Sequence, residues 1–294
     1  MIKQTIMLTK PASLTLKNLQ MVITLKDGAQ TVTRPIEDIG FVIVENPMVT
    51  FTVPLLNELA GNNVAVIFCD AKLMPKSMLQ SLESNSTQGE SYREQIGISE
   101  PCRKQLWKQL VEGKIRNQSS LLNKLHKDGN SLKPYYMNVL SGDIDNREGV
   151  AAKVYWSKLL GPEFYRNRMG AEPNSLFNYG YTLLRAATAR ALLGSGLLPA
   201  FGLFHRNRYN AFPLADDVME PYRPFVDELV FHLYANGETK LDERTKLILL
   251  RSLFCDVHVV DLVRPLEIAL SITTASLSKC YKGIEKKLVL PELR

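Results

Sequence analysis

Short alternations of apolar and polar residues fill the first eighty positions, and a helical period takes over afterwards. Alternating or wholly apolar runs at 5–8, 13–17, 21–24, 31–34, 40–44, 49–52 and 64–69 predict strands, with a further candidate at 73–77. Asp27-Gly28 stands between two of these runs and predicts a hairpin turn. Pro54 near the start and Gly61 at the end frame a short helix over 54–61. Many short strands with close turns point to a sandwich or small barrel.

Residues 81–99 are polar and rich in Ser and Glu, which reads as a linker. Beyond Pro101, the spacing of Leu106, Leu110, Ile115, Leu121, Leu122 and Leu125 predicts a pair of amphipathic helices around Gly113. Further helices are expected over 145–160, 174–193, 215–234, 242–255 and 265–281, with Pro221 and Pro224 disturbing the first turns of the third. The last stretch, 282–294, reads either as a partner-docking tail or as a frayed end. The expected fold class is α+β: a β-sandwich-like domain over 1–80, a linker over 81–99 and a larger all-α domain over 100–294.

Composition changes this picture little. Of 294 residues, 45% are hydrophobic and 22% charged, as in ordinary globular proteins. Charge adds more. The net charge of +6 and a pI near 9.0 favour a polyanionic partner. The excess is concentrated: 101–133 hold eight cations (Arg103, Lys104, Lys108, Lys114, Arg116, Lys124, Lys127, Lys133) against Glu112 and Asp128. That is the pattern of a phosphate-tracking surface, or of a solvated helix face. The four cysteines form no C-x-x-C pair, and the Cys255/His258 spacing lacks a second pair, so free thiols in a reducing compartment are expected. No apolar run approaches the roughly 20 residues of a membrane span, and the N-terminus lacks a signal-peptide core, so a cytoplasmic location is expected.

Glu148, His205 and Glu220 are the candidate chemistry, because two carboxylates and an imidazole suit a hard or borderline divalent ion. Each also has an ordinary reading. Asp145-Asn-Arg-Glu148 is a D-x-x-E capping box. His205 closes an apolar run, where a histidine is commonly a satisfied boundary residue. Asp216, Asp217 and Glu220 suit a solvated helix start, with Arg223 available to neutralise Glu220 or Asp217. No spacing rule joins Glu148 to the other two.

Four stretches in order do join them. They are Arg-Glu-Gly-Val-Ala-Ala-Lys-Val-Tyr-Trp at 147–156, Leu-Phe-Asn-Tyr-Gly-Tyr-Thr-Leu-Leu-Arg-Ala at 176–186, the glycine-and-apolar approach to His205 over 191–205, and Asp-Val-Met-Glu-Pro-Tyr-Arg-Pro at 217–224. Together they resemble the CRISPR-associated adaptation integrase, CRISPR-associated protein one, in the form that accompanies the Cas9-type (type II) systems.

The resemblance implies Glu148, His205 and Glu220 as catalytic ligands of Mg²⁺ or Mn²⁺, with Asp217 as an accessory residue. It implies an endonuclease and integrase in which a 3′-hydroxyl of a short foreign DNA fragment attacks a phosphodiester at the edge of a CRISPR repeat. Arg103, Lys104, Lys108, Arg206, Arg208 and Arg223 are candidate contacts to double-stranded DNA. The family assembles as homodimers, here expected through the β domain, around a small ferredoxin-like Cas companion in a heterohexameric complex, with other adaptation proteins as further partners. Two rival readings use the same residues: a metal-dependent nuclease of branched DNA or RNA that does not integrate, and a non-catalytic DNA-binding scaffold.

Overall fold

A computed structural model describes residues 3–26, 30–205 and 207–294. The chain divides into two compact units, 1–86 and 87–294.

The first unit contains β1 (Gln4–Leu8), β2 (Ala12–Lys17), β3 (Gln20–Leu25), β4 (Thr31–Pro35), β5 (Ile39–Val44), β6 (Thr50–Phe51), α1 (Val53–Gly61), β7 (Ala65–Cys69) and β8 (Pro75–Leu79). They form two four-stranded sheets, ordered β1-β5-β7-β8 and β4-β3-β2-β6. Leu8, Val42 and Val66 of one sheet share a buried cluster with Leu14 and Met21 of the other and with Leu55 and Leu59 of α1. Alternation predicts the strands but not their partners. β1, β5 and β7 run parallel, and β5 is buried at all six positions, as a central parallel strand must be. β3 and β4 pair antiparallel, while the expected turn at Asp27-Gly28 lies outside the described residues.

The second unit is helical: α2 (Gln88–Gly97), α3 (Glu100–Lys124), α4 (Lys133–Met137), α5 (Arg147–Leu160), α6 (Asn174–Gly194), α7 (Pro213–Val218), α8 (Arg223–Ala235), α9 (Glu243–Leu250) and α10 (Leu266–Tyr281). Four expectations change here.

The polar stretch 81–99 is not all linker, because α2 occupies most of it. Gln95, buried in α2, accepts from Leu198 N at 2.9 Å and donates to Leu198 O at 2.9 Å. Hydrogen bonds rather than an apolar stripe hold this helix, which is why its sequence reads as a linker.

Gly113 does not divide two helices. It lies buried inside the continuous α3, where an added Cβ would stand 2.9 Å from Leu290 Cδ1 and 3.5 Å from Pro221 Cβ.

The unit is not all-α. β9 (Asp256–Val259), β10 (Leu262–Pro265) and β11 (Pro291–Glu292) form a small antiparallel sheet ordered β10-β9-β11. The alternation in Asp-Val-His-Val supplies its central strand, burying Val257 and Val259.

The C-terminal stretch is not a frayed end. Pro291 and Leu293 are buried, Val289 O accepts from Thr273 Oγ1 at 2.6 Å, and Asn117 of α3 holds Pro291 O and Leu293 N.

Candidate catalytic site

Three segments of the second unit bring four charged side chains together. α3 supplies Lys114, the first turn of α5 supplies Glu148, the turn between α7 and α8 supplies Glu220, and the start of α8 supplies Arg223. Lys114 Nζ lies 2.6 Å from Glu148 Oε1 and 2.6 Å from Glu220 Oε2. Arg223 Nε lies 2.9 Å from Glu220 Oε1, and its guanidinium covers the Tyr181 ring at 4.5 Å.

The local sequence explains the placement. Pro221 and Pro224 interrupt the expected 215–234 helix, so Glu220 opens a single 3-10 turn over Glu220–Tyr222. Asn117 Nδ2 donates to Pro221 O at 2.8 Å, and Pro221 lies against Gly113, where an added Cβ would meet its ring at 3.5 Å, so this turn rests directly on α3.

Glu148 is not the second half of a capping box. Asn146 is the N-cap and accepts from Gly149 N at 3.1 Å. The buried Asp143 accepts from Arg147 N at 2.8 Å and Glu148 N at 3.1 Å. With the first-turn N–H groups satisfied by others, the Glu148 carboxylate is available to Lys114.

His205 ends a tight loop after α6. Asp217, fully buried on α7, accepts backbone N–H bonds from Leu203 at 2.6 Å, Phe204 at 3.0 Å and His205 at 3.3 Å. Its Oδ1 also stands 2.5 Å from His205 Nδ1. Gly202 makes the loop possible, since a Cβ there would fall 2.4 Å from His205 O. The buried Trp107 of α3 stacks flat on Phe204 at 4.5 Å and meets the His205 ring edge-on at 5.7 Å.

The electrostatics follow from this packing. The hydrogen bond to Asp217 raises the His205 pKa against the opposing effect of burial, with further upward contributions from Asp217, Glu220 and Glu148. Burial raises the Asp217 pKa, and His205 partly offsets it. Burial also acts to raise Glu220, but Arg223 and then Lys114 outweigh it and hold the carboxyl below its ordinary range. Burial opposes the charged form of Lys114, yet Glu148 and Glu220 keep its pKa above the usual lysine value.

Glu148 and Glu220 are therefore in one charge cluster, and His205 is close enough to feel both. Among the described residues, no three His, Cys, Asp or Glu side chains already form a metal-holding group. The donor chemistry nonetheless fits a cation. One ammonium is equally near to both carboxylates. Glu220 Oε2 is buried without a well-angled hydrogen bond, so its contact with Lys114 is one of charge. Asp217 engages His205 Nδ1, which leaves Nε2 as the nitrogen for a further contact.

These features accompany a clear family relationship. Residues 6–251 match the family model described as CRISPR associated protein Cas1. The chain belongs to the Cas1 family. It is 38% identical over 241 residues to the CRISPR-associated endonuclease Cas1 of Neisseria meningitidis serogroup C, covering 81% of this chain and 78% of that protein. It is 25% identical over 242 residues to a CRISPR-associated endonuclease Cas1 of Francisella tularensis subsp. novicida, covering 74% and 75% respectively. The fold resembles a Cas1 protein of Thermotoga maritima, with a TM-score of 0.75, 18% identity and coverage of 99% of this chain and all of that one. It also resembles a casposase bound to integration product, with a TM-score of 0.80, 18% identity and coverage of 98% and 93%.

Within this Cas1 chain, many of the expected DNA-contacting cations already have partners. Lys104 pairs with Glu100 at 3.0 Å and Lys108 with Glu112 at 3.6 Å. Lys124 pairs with Glu228 at 2.7 Å, and Arg116 covers Tyr136 at 5.5 Å. Arg223 is turned inward on Glu220 rather than outward. Arg103 is half-buried, Arg208 is exposed over the Tyr209 ring at 4.7 Å, and Arg206 lies outside the described residues.

Lys114 is the site residue that sequence reasoning missed as such. It was visible only as one of eight cations in a basic stretch. Its signal was its burial on α3, among Leu110, Val111, Asn117 and Gln118, where no acid on the same helix face could answer it.

Proposed function

We propose that the chain is a metal-dependent DNA integrase and endonuclease of CRISPR adaptation, with Glu148, His205 and Glu220 holding Mg²⁺ or Mn²⁺. The observation that carries this reading is the pair of glutamates facing one cation position, beside a histidine fixed through Nδ1 by a buried aspartate. When bound, a divalent ion there lowers the pKa of an attacking hydroxyl and neutralises charge developing on a phosphodiester. The chain's own residues do the rest. Asp217 holds the imidazole in one orientation, as an outer carboxylate does for a ligating histidine. Arg223 fixes one Glu220 oxygen and leaves the other pointing at the cation position. In the absence of metal, Lys114 offsets the repulsion between the paired carboxylates.

The reaction is transesterification: the 3′-hydroxyl of a short DNA fragment displaces a 3′-oxygen of the repeat, forming one phosphodiester as another breaks. Water in place of the hydroxyl gives endonuclease activity at the same residues, in keeping with the name of the relatives at 38% and 25% identity. Two insertions at a fixed separation call for at least two chains. A homodimer formed through the first unit, working with a small ferredoxin-like Cas companion, meets that need. Likeness to a complex described as Cas6-RT-Cas1–Cas2, at a TM-score of 0.74 and 18% identity, covers 99% of this chain and 36% of that one. Among the described residues no helix is long and apolar enough to cross a membrane.

The test incubates the purified chain and its companion with a 3′-hydroxyl duplex and a supercoiled plasmid carrying the repeat. Mn²⁺- or Mg²⁺-dependent joining that is lost in Glu148→Ala, His205→Ala and Glu220→Ala supports the proposal. Cleavage without joining points to the nuclease reading. Near-normal joining by any of the three variants refutes the site.

A further inference from the structure

We infer that the Lys114 ammonium is a resident counter-ion which a divalent cation must displace from Glu148 and Glu220, so that this lysine sets the metal affinity of the site. The inference rests on the divalent-ion reading above.

Among the described ion pairs of α3, Lys114 meets two carboxylates where Lys104, Lys108 and Lys124 each meet one. Lys104 and Lys108 are answered by acids one turn away on the same helix, Glu100 and Glu112. The residues one turn either side of Lys114 are Leu110, Val111, Asn117 and Gln118, none of them acidic. Both of its carboxylate partners come from elsewhere, one from α5 and one from the Glu220 turn. All three side chains are sheltered: Lys114 is 11% exposed, Glu148 18% and Glu220 4%. Two carboxylates held this close in a poorly hydrated place repel each other, and burial makes an uncompensated pair costly. The fold therefore needs a cation between them, and α3 provides one.

The two Glu220 oxygens are treated differently. Oε1 faces Arg223 Nε at 2.9 Å, an ion pair on the inner side of the site. Oε2 faces Lys114 Nζ at 2.6 Å, and both contacts are ion pairs without hydrogen-bond angles. Arg223 can stay in place whichever cation sits at Oε2, so exchange at Oε2 leaves the turn supported.

Charge counting gives the direction of the exchange. Glu148 and Glu220 are balanced by Lys114 and Arg223. A divalent ion entering beside the ammonium would stack like charges, whereas an ammonium that swings aside on its flexible four-carbon stem removes the conflict. The displaced ammonium stays within a side chain's length of the site, where a phosphodiester oxygen is a suitable new partner. Metal entry and DNA entry then favour each other.

Calorimetric titration with Mn²⁺ tests this on the full-length chain and four variants: Lys114→Met, Lys114→Gln, His205→Ala and Lys114→Arg. Wild type is expected to bind Mn²⁺ and His205→Ala to lose that binding. Lys114→Met and Lys114→Gln are expected to bind Mn²⁺ at least about tenfold more tightly than wild type, and Lys114→Arg no more tightly. The two neutral variants should also melt at lower temperature without metal and gain more from saturating Mn²⁺ than wild type does. A wild-type protein that binds no Mn²⁺ overturns the divalent-ion reading itself. Binding that depends on His205 but is no tighter in the neutral variants overturns the inference alone. Neutral variants that unfold and are not recovered by millimolar Mn²⁺ overturn it too, because the ammonium would then have a role that a divalent ion cannot take over.

Discussion

His205 Nδ1 stands 2.5 Å from Asp217 Oδ1, and the same carboxylate accepts the backbone N–H groups of Leu203, Phe204 and His205. One buried acid thus fixes both the loop that carries the imidazole and the Nδ1 side of its ring. Asp217→Asn keeps the size of the side chain but removes its charge. We expect it to cost about 1–3 kcal/mol of stability, the scale for weakening charged hydrogen bonds to buried donors. Strand joining should fall about 10- to 100-fold, the usual effect of losing an outer carboxylate behind a ligating histidine. Thermal melts and the joining assay check the two effects separately. An unchanged joining rate in a folded variant would remove Asp217 from the site.

Gly202 offers a narrower probe of the same loop. A Cβ at this position would lie 2.4 Å from His205 O and 3.0 Å from Asp217 Oδ2. Backbone oxygen cannot move aside as a flexible side chain can, so Gly202→Ala must shift the peptide that carries His205. The expected outcome is a folded protein that loses most of its joining activity while still binding duplex DNA. Circular dichroism, a mobility-shift assay and the joining assay decide this, and wild-type joining by Gly202→Ala would show that the loop has slack.

How much of this was legible beforehand depended on distance along the chain. Strands β1 to β5 and helices α5, α6 and α10 follow from local alternation and 3.6-residue spacing, and they lie close to where the sequence predicts them. Glu148, His205 and Glu220 were singled out by residue type and motif. Which cation answers the glutamates depended on α3 meeting α5 and the Glu220 turn, a tertiary fact with no local signature. The parallel pairing of β1, β5 and β7 is of the same kind. Asp145-Asn-Arg-Glu148 shows the opposite failure: a good local pattern for a capping box was overridden because Asp143, two residues earlier, turns back to take the first N–H groups of α5.

Asp227 carries a pH-dependent contribution to stability. It is buried on α8, accepting from Tyr155 OH at 2.8 Å and from Tyr181 OH. Burial raises its pKa from 3.8 to about 6 despite both tyrosines and the nearby Arg223 and Arg166. A carboxyl with a raised pKa in the folded state binds its proton more tightly there than in the unfolded chain. Its contribution is therefore fully present below about pH 4 and is lost as the pH rises through about 6. The stability of wild type relative to Asp227→Asn should fall by on the order of 2–3 kcal/mol across that window, from the size of the shift. Denaturant melts of both proteins between pH 4 and 7 measure it, and a flat difference would mean that the tyrosines and arginines fully compensate burial.

The C-terminal stretch should matter to the site although no residue of it has chemistry. Leu293 is 3% exposed, and full burial of such a side chain is worth about 1.5–3 kcal/mol. Asn117 Nδ2 bridges Pro291 O at 3.0 Å and Pro221 O at 2.8 Å, and Asn117 Oδ1 accepts from Leu293 N at 3.1 Å. Asn117 lies one turn beyond Lys114, and Pro221 follows Glu220 directly. Deleting residues 288–294 would strip β9 of its β11 partner at His258 and Val259, leave Asn117 with one of these three hydrogen bonds, and loosen the turn that presents Glu220. We expect a loss of several kcal/mol, judged from one buried leucine and at least two buried hydrogen bonds, and weaker Mn²⁺ binding in whatever remains folded. Leu293→Ala, a milder change, should lower stability by about 2–4 kcal/mol while leaving the Asn117 bonds in place and Mn²⁺ affinity near wild type. Equal losses of metal binding in the two variants would mean that general destabilisation, rather than the Asn117 bridge, connects the C-terminus to Glu220.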